Sequence, residues 1–401
     1  MTKNSGWNQN TIKHGNKSLI LETILNYGPI SRAEIANKIR LNKGTVSSQV
    51  AELLHEELIY EKGPGKSNGG RRPLMLLFNQ KAGYSIGIDI GVNYILGIRT
   101  DLQGTICEEV SVRFQNLSLD HMMNTLYEVI DNLIASSPYS KYHIVGIGIG
   151  VPGAVNKEGK ILLAPNLGWQ NVHLKQLVEE KYNFPVLIEN EANAGAYGEK
   201  TFSHNQEKDI IYVSAGVGIG VGLILNGELY RGANGFSGEF GHMTIEGNGK
   251  NCRCGNKGCW EVYASEQALV PSSDFLQNNT DTLKDMITKA RAGNKEAIQT
   301  FHSIGHYLGI GITNIINSFN PTRVIIGNRL TEAKEWIEQP LLQSTANRAL
   351  WFQRNNLEVS FSELNTYSTA LGMTAFSYES FLKGNQDYQK LMVNETNNLL
   401  R

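Results

Sequence analysis

The chain has 401 residues, of which 41% are hydrophobic and 19% charged, and its formal net charge is −1. This is the composition of an ordinary globular protein with roughly two or three domains. It excludes a membrane-spanning protein: the longest apolar stretch, residues 211 to 225, is broken by Gly216, Gly218, Gly220 and Gly222 and is too short to cross a bilayer. The polar start MTKNSGWNQN offers no signal peptide and cysteines are few, so a reducing, cytoplasmic location is expected. Charge is uneven. Residues 1 to 80 hold eleven Lys and Arg against six Asp and Glu, and the remainder holds 26 against 32. A basic front on an acidic body suggests that only the front meets a polyanion, although a surplus this modest decides nothing alone.

Three helical patterns open the chain. Residues 17 to 26 carry Ile20, Ile24 and Leu25 at helical spacing and stop at Gly28-Pro29. Ser31-Arg32-Ala33-Glu34 is a capping box, in which the Ser hydroxyl accepts the third helical N–H and the Glu reaches back. It starts a short helix that buries Ile35 and Ile39. Asn42 then caps a third helix with Val46, Val50, Leu53 and Leu54 facing inward. Its other face is expected to show Lys43, Thr45, Ser47, Ser48 and Gln49, short hydrogen-bonding groups with one cation. A helix lying in a major groove needs such a surface. Strand-like runs at 58 to 61 and 74 to 78 flank KGPGKSNGGRRP, a loop bearing Lys62, Lys66, Arg71 and Arg72. The order predicts a winged helix-turn-helix with a basic wing. A three-helix interaction module without a DNA role is the plainer alternative. Operator DNA with two-fold half-sites would ask for a homodimer.

From residue 81 the pattern changes. Residues 84 to 91 read as a buried strand containing Asp89, and 94 to 99 as a second strand closed by a turn at 101 to 104. A helix is predicted near 119 to 135, then a strand at 144 to 149 and a Val151-Pro152-Gly153 loop. The pattern repeats with strands at 211 to 214 and 221 to 225 and a turn at Asn226-Gly227. Two strand-rich lobes with helices between them predict an α/β protein with a cleft. The expected division is a winged-helix domain at 1–80, a first lobe at 81–200 and a second at 201–401.

Residues 235 to 261 read GFSGEFGHMTIEGNGKNCRCGNKGCWE and hold three of the four cysteines. Cys252, Cys254 and Cys259, with His242 ten residues upstream, form a ligand set that zinc favours in structural sites. Gly255 and Gly258 allow the tight turns such a site requires. A reduced cysteine cluster without metal is the alternative.

The segments of the body resemble, in order, the family of repressors, open reading frames and kinases known as ROK. They are the Asp89 strand, IGIGVPG, PNLGW, IENEANAGAYGE, SGEFGH with its cysteines, and LGIGITNIINSFNPTRVIIGN, spanning residue 84 to about 375. The resemblance implies a bilobal actin/hexokinase-like fold with ribonuclease H-like lobes. A winged helix ahead of such a body is similar to the family's repressor branch. The resemblance further implies a sugar in the cleft, held by Asn166, Asn190, Glu191, Glu239, His242 and Glu261. The chemistry agrees, because carboxylates and amides pair with vicinal hydroxyls. Trp169 and Trp260 are expected to add an apolar wall.

The family's kinases place an aspartate base where this chain has Glu191. Their DxGGT-like loop is here Asp89-Ile90-Gly91-Val92-Asn93, and their GTGxGGG-like loop is Gly216-Val217-Gly218-Ile219-Gly220-Val221-Gly222. A glycine pair is replaced by Gly327-Asn328. Phosphate loops work by close backbone approach, so these four departures predict a lost ATP site and no enzymatic activity. A sugar-responsive repressor is therefore expected. A sugar kinase with an appended DNA-binding domain is the alternative, and a transcriptional activator a third option. Glutamate is one methylene longer than aspartate and would intrude where a hexose carries C6. The expected effector is thus a pentopyranose, xylose, and the expected target the operon for its use.

Overall fold

A computed structural model of the protein describes residues 9 to 64, 73 to 114, 118 to 203, 207 to 269 and 282 to 383. Arg71 and Arg72 of the wing lie outside the described residues.

The front domain folds as its caps dictate. Helices Gln9–Tyr27, Arg32–Ile39 and Lys43–His55 surround a core of Ile20, Ile24, Ile35, Val46, Val50 and Leu53. Ser31 Oγ accepts the Glu34 N–H at 3.3 Å, and the Glu34 carboxylate accepts the Ser31 N–H at 2.8 Å. Asn42 Oδ1 accepts the Thr45 N–H at 2.7 Å. Strands Ile30–Ser31, Leu74–Phe78 and Ile59–Pro64 form a small antiparallel sheet beside the helices. Lys43, Ser47 and Ser48 are exposed on the third helix and Thr45 partly so. Gln49 corrects the expectation, because it is only 4% exposed. It follows Val46 by three residues and precedes Leu53 by four, which is the inward stripe of a 3.6-residue repeat. Its amide is polar, but its position is a core position.

The body contains two five-stranded sheets of one topology. The first runs Val186–Asn190, Ile144–Val151, Tyr84–Ile90, Tyr94–Asp101, Ile106–Arg113. The second runs Glu358–Phe361, Arg323–Gly327, Ile210–Ala215, Ile219–Leu225, Glu228–Leu229. In each, a three-stranded antiparallel meander is extended by two parallel strands. This doubling is the bilobal arrangement that the resemblance implies. Tyr84–Ile90 is buried along its whole length, as a strand covered on both faces must be.

Two helices trade places between the lobes. Helix Glu191–Phe202 leaves the first sheet and lies on the second, while helix Ser368–Leu382 leaves the second sheet and returns to the first. They cross in direct contact. A Cβ on Gly372 would overlap the Ala194 carbonyl, and one on Gly198 would overlap that of Ser368. The expected division at residue 200 falls within the first of these helices, and the second lies beyond it. The return helix Ser368–Leu382 packs with the first lobe, and no single cut separates the two.

The front domain is not hung on a loose linker. Leu102, Val145, Ala375, Tyr378 and Phe381 of the body share one apolar cluster with the winged-helix core. Tyr142 meets Phe381 edge-on, with ring centroids 4.9 Å apart. Its hydroxyl donates to the Glu56 carbonyl at 3.0 Å, and Lys141 Nζ donates to the His55 carbonyl at 2.8 Å. These bonds hold the last carbonyls of the third helix, which lack intrahelical partners. Among the described residues no helix is long and apolar enough to cross a membrane.

Candidate functional site

The cleft between the lobes encloses about 460 Å³, and its lining includes Asn166, Asn190, Glu191, Glu239, His242 and Glu261. All six residues expected to hold a sugar are thus brought together. Leu163, Ile219 and Phe236 give it apolar surface. Trp169 and Trp260 do not line it. Trp260 is fully buried and donates its indole N–H to the Tyr307 carbonyl at 2.8 Å, while Trp169 is packed into the core of the first lobe. Trp260 leads into the short helix Glu261–Ala264. Successive side chains there diverge by about 100°, so the neighbour of a cleft residue faces elsewhere.

Asn190 ends a strand and caps the helix after it. Its Oδ1 accepts the Ala192 and Asn193 N–H groups at 2.9 and 3.2 Å, and its Nδ2 donates to the Gly153 carbonyl at 3.0 Å. One amide hydrogen remains for the cleft. Glu191 is the first residue of that helix. Ser214 Oγ donates to its Oε1 at 3.3 Å, and Thr369 Oγ1 donates to its carbonyl at 3.1 Å.

Behind Glu191 lies Asp89, which is 2% exposed and accepts the Tyr94 hydroxyl at 2.7 Å. Burial, and then the charge of Asp89, push the Glu191 carboxyl up to about 8. Burial pushes Asp89 up to about 7 against the opposing Tyr94 hydrogen bond. The Glu191 carboxyl is thus biased towards its protonated form, which can donate as well as accept. Its folded-state pKa lies above its ordinary value of 4.5, so the folded protein binds this proton more tightly than the unfolded chain. Stability is then lost as pH rises from 4.5 to about 8. Glu191→Gln has no charge to bury. Urea unfolding should show it gaining on the wild type across that window, by up to about 5 kcal/mol above it. A difference independent of pH would refute this assignment.

The segments that resemble phosphate loops line the cleft, and side chains pack against two of their glycines. The Tyr94 ring stands over Gly91, where any side chain would overlap it. Asn328, at φ 68°, donates to Ser214 Oγ at 2.9 Å, and its amide packs against Gly216. Arg329 is buried, with Nε 3.4 Å from Glu266 and Nη1 donating to Asn93 Oδ1 at 3.3 Å. Gly222 has a packing reason, since a Cβ there would overlap the Ala192 carbonyl of the crossing helix.

His242 closes the short turn Glu239–His242, and the three cysteines follow in an irregular loop. The four ligand atoms all lie within 4.8 Å of one another. The Cys254 and Cys259 sulfurs are 3.7 Å apart, and Cys252 Sγ is 3.7 Å from His242 Nδ1. A tetrahedral ion with arms of about 2.3 Å has edges of about 3.8 Å, so the set fits zinc. Gly258, at φ 72°, lies so close to the Glu246 carbonyl that no Cβ fits. With Nδ1 on the ligand side, His242 keeps Nε2 for the cleft, 3.9 Å from Glu239. Glu261 Oε1 is 3.2 Å from Cys252 Sγ, which links the cluster directly to the cleft wall.

Sequence reasoning missed Tyr94, Arg253 and Arg329, which also line the cleft. Nothing local marks Tyr94 or Arg329. Arg253 carried a signal, because it stands between two cysteines of the cluster.

The chain matches the ROK family model over residues 85–379 and the MarR family model over residues 16–62. It is 46% identical over 375 residues to the xylose repressor of Bacillus subtilis (strain 168), covering 93% of this chain and 97% of that protein. Its fold is similar to a ROK family transcriptional regulator described as a homologue of the E. coli MLC protein. The TM-score is 0.77 at 25% identity, with 96% and 99% of the two chains covered. It is also similar to a ROK family glucokinase from Streptomyces griseus solved with glucose and AMPPNP. There the TM-score is 0.66 at 26% identity, covering 74% of this chain and 100% of that one.

Proposed function

The chain belongs to the ROK family, and from that membership we propose that it is a DNA-binding repressor of a xylose-utilisation operon, released when xylose occupies the cleft. The observation that carries the reading is the near full-length similarity to a xylose repressor, winged helix included. Lys43, Thr45, Ser47 and Ser48 face bases, and Arg71 and Arg72 contact phosphate from the wing. The protein acts in the cytoplasm as a homodimer on a palindromic operator. Asn166, Asn190, Glu191, Glu239, His242 and Glu261 hold the sugar. Zinc on His242, Cys252, Cys254 and Cys259 is structural, since four protein ligands leave no open position for chemistry. Sugar between the lobes favours one arrangement of them and alters the spacing of the paired DNA-binding domains.

Catalysis is not part of this reading. Tyr94 and Asn328 occupy the turns where a nucleotide's phosphates would need bare backbone. A gel shift on the chain's own upstream region, with a panel of sugars, tests the repressor reading. Binding that xylose leaves untouched would defeat it. A coupled ADP-release assay with xylose and glucose separates it from the kinase alternative, and turnover with either sugar would favour the kinase.

Replacing both Arg71 and Arg72 with alanine should weaken operator binding and lower the slope of log K against log salt by roughly two. An unchanged slope would remove the wing from the interface.

A further inference from the structure

Arg253 stands between Cys252 and Cys254 and reaches across the mouth of the cleft. Its Nη1 donates to Asn166 Oδ1 at 3.3 Å, from the second lobe to the first. The other end of the Asn166 amide faces a second residue of the same segment. A Cβ on Gly218 would stand 2.8 Å from Glu261 Oε2 and 3.6 Å from Asn166 Nδ2. The amide nitrogen and the carboxylate thus border one small space that the missing side chain leaves open. Asn166 itself sits on the turn between strands Ile161–Ala164 and Trp169–Val172, in a small sheet at the cleft mouth.

We propose that Arg253 is a positioning residue for sugar recognition, clasping Asn166 across the cleft and fixing which way its amide points. An asparagine amide has two orientations of equal shape and opposite hydrogen-bonding sense. A guanidinium donates only, so it selects the orientation with oxygen towards Arg253 and N–H groups towards the cleft. Glu261 then supplies acceptors opposite. A sugar hydroxyl between the two is paired both as acceptor and as donor. The clasp also joins the lobes beside the opening, so it slows departure of the sugar. Its root is held by ligands on either side, which makes the metal loop the arm of the clasp. This inference rests on the sugar-cleft reading above.

The test uses the full-length protein with xylose as the probe. Equilibrium affinity, dissociation rate and zinc content are measured for the wild type, Arg253→Ala, Arg253→Lys, Asn166→Ala and the double alanine variant. Arg253→Ala should bind xylose about ten- to a hundredfold more weakly, mainly through faster dissociation, with zinc content unchanged. Arg253→Lys should recover part of the loss, because it keeps the charge but not the planar fork. In the Asn166→Ala background, Arg253→Ala should cost little more, since the clasp is already gone. Wild-type affinity in Arg253→Ala would overturn the clasp, and so would fully additive losses in the double variant. Loss of zinc from Arg253→Ala would trace the effect to the metal and overturn it as well. A wild type that binds no xylose would instead overturn the sugar reading, and the clasp with it.

Discussion

Glu191→Asp is expected to shift sugar preference towards glucose by roughly ten- to two-hundredfold relative to the wild type. Glu191 is held at the start of its helix by the Thr369 hydroxyl on its carbonyl, and its head group is bonded by Ser214 from the second lobe. One bond anchors the backbone and the other the head group, which lines the cleft. A hexose carries one exocyclic CH₂OH more than a pentopyranose, and on the proposed reading Glu191 takes that volume. Shortening it by one methylene reopens the space and leaves a carboxyl able to meet the new hydroxyl. Calorimetry with xylose and glucose on both proteins is the measurement. Equal wild-type affinity for the two sugars, or no gain by the aspartate variant, would end this account of selectivity.

Cys259→Ser should be more severe. Cys259 is wholly buried and packs in a small cluster with Cys252, Val262 and Tyr263. Structural zinc contributes apparent free energies of about 10–16 kcal/mol in isolated peptides, and on the proposed reading the loop draws on the same source. Mass spectrometry should find one zinc per wild-type chain and none in the variant. Xylose affinity should fall by more than about a hundredfold as His242, Glu261 and Arg253 lose their anchorage. The core that the front domain shares with the body includes no residue of the cysteine loop, so operator binding should survive as a grip that sugar no longer loosens. Zinc-free wild type that still responds to xylose would refute the role assigned to the metal.

The parts legible in the sequence were those written in local chemistry. Ser31, Glu34 and Asn42 announce helix starts because a cap is made by residues three apart. His242 and the three cysteines announce their cluster by spacing. The six cleft residues were reached through resemblance rather than through any local rule, and the fold does gather them. Gln49 was misread because residue type was weighed above helical phase. The two tryptophans were misread because adjacency along the chain was taken for adjacency in the cleft. The exchange of helices between lobes was illegible, since it depends on two sheets meeting and no single segment records it. The glycines of residues 216 to 222 were read against a phosphate loop, and only the crossing helix shows that Gly222 seats a backbone.

The shared apolar cluster between the winged helix and the body bears on how such proteins are rebuilt. A DNA-reading unit grafted from a relative would arrive without the surface that Tyr142, Tyr378 and Phe381 expect. The hydroxyl of Tyr142 and the ammonium of Lys141 would also lose the helix-end carbonyls they hold. A chimera joined at residue 80 should therefore bind its operator and ignore its sugar, because the seam runs through a core. A transplant that carries those body residues with the donor unit keeps the two halves mechanically continuous, and the effector of one protein can then govern the operator of another.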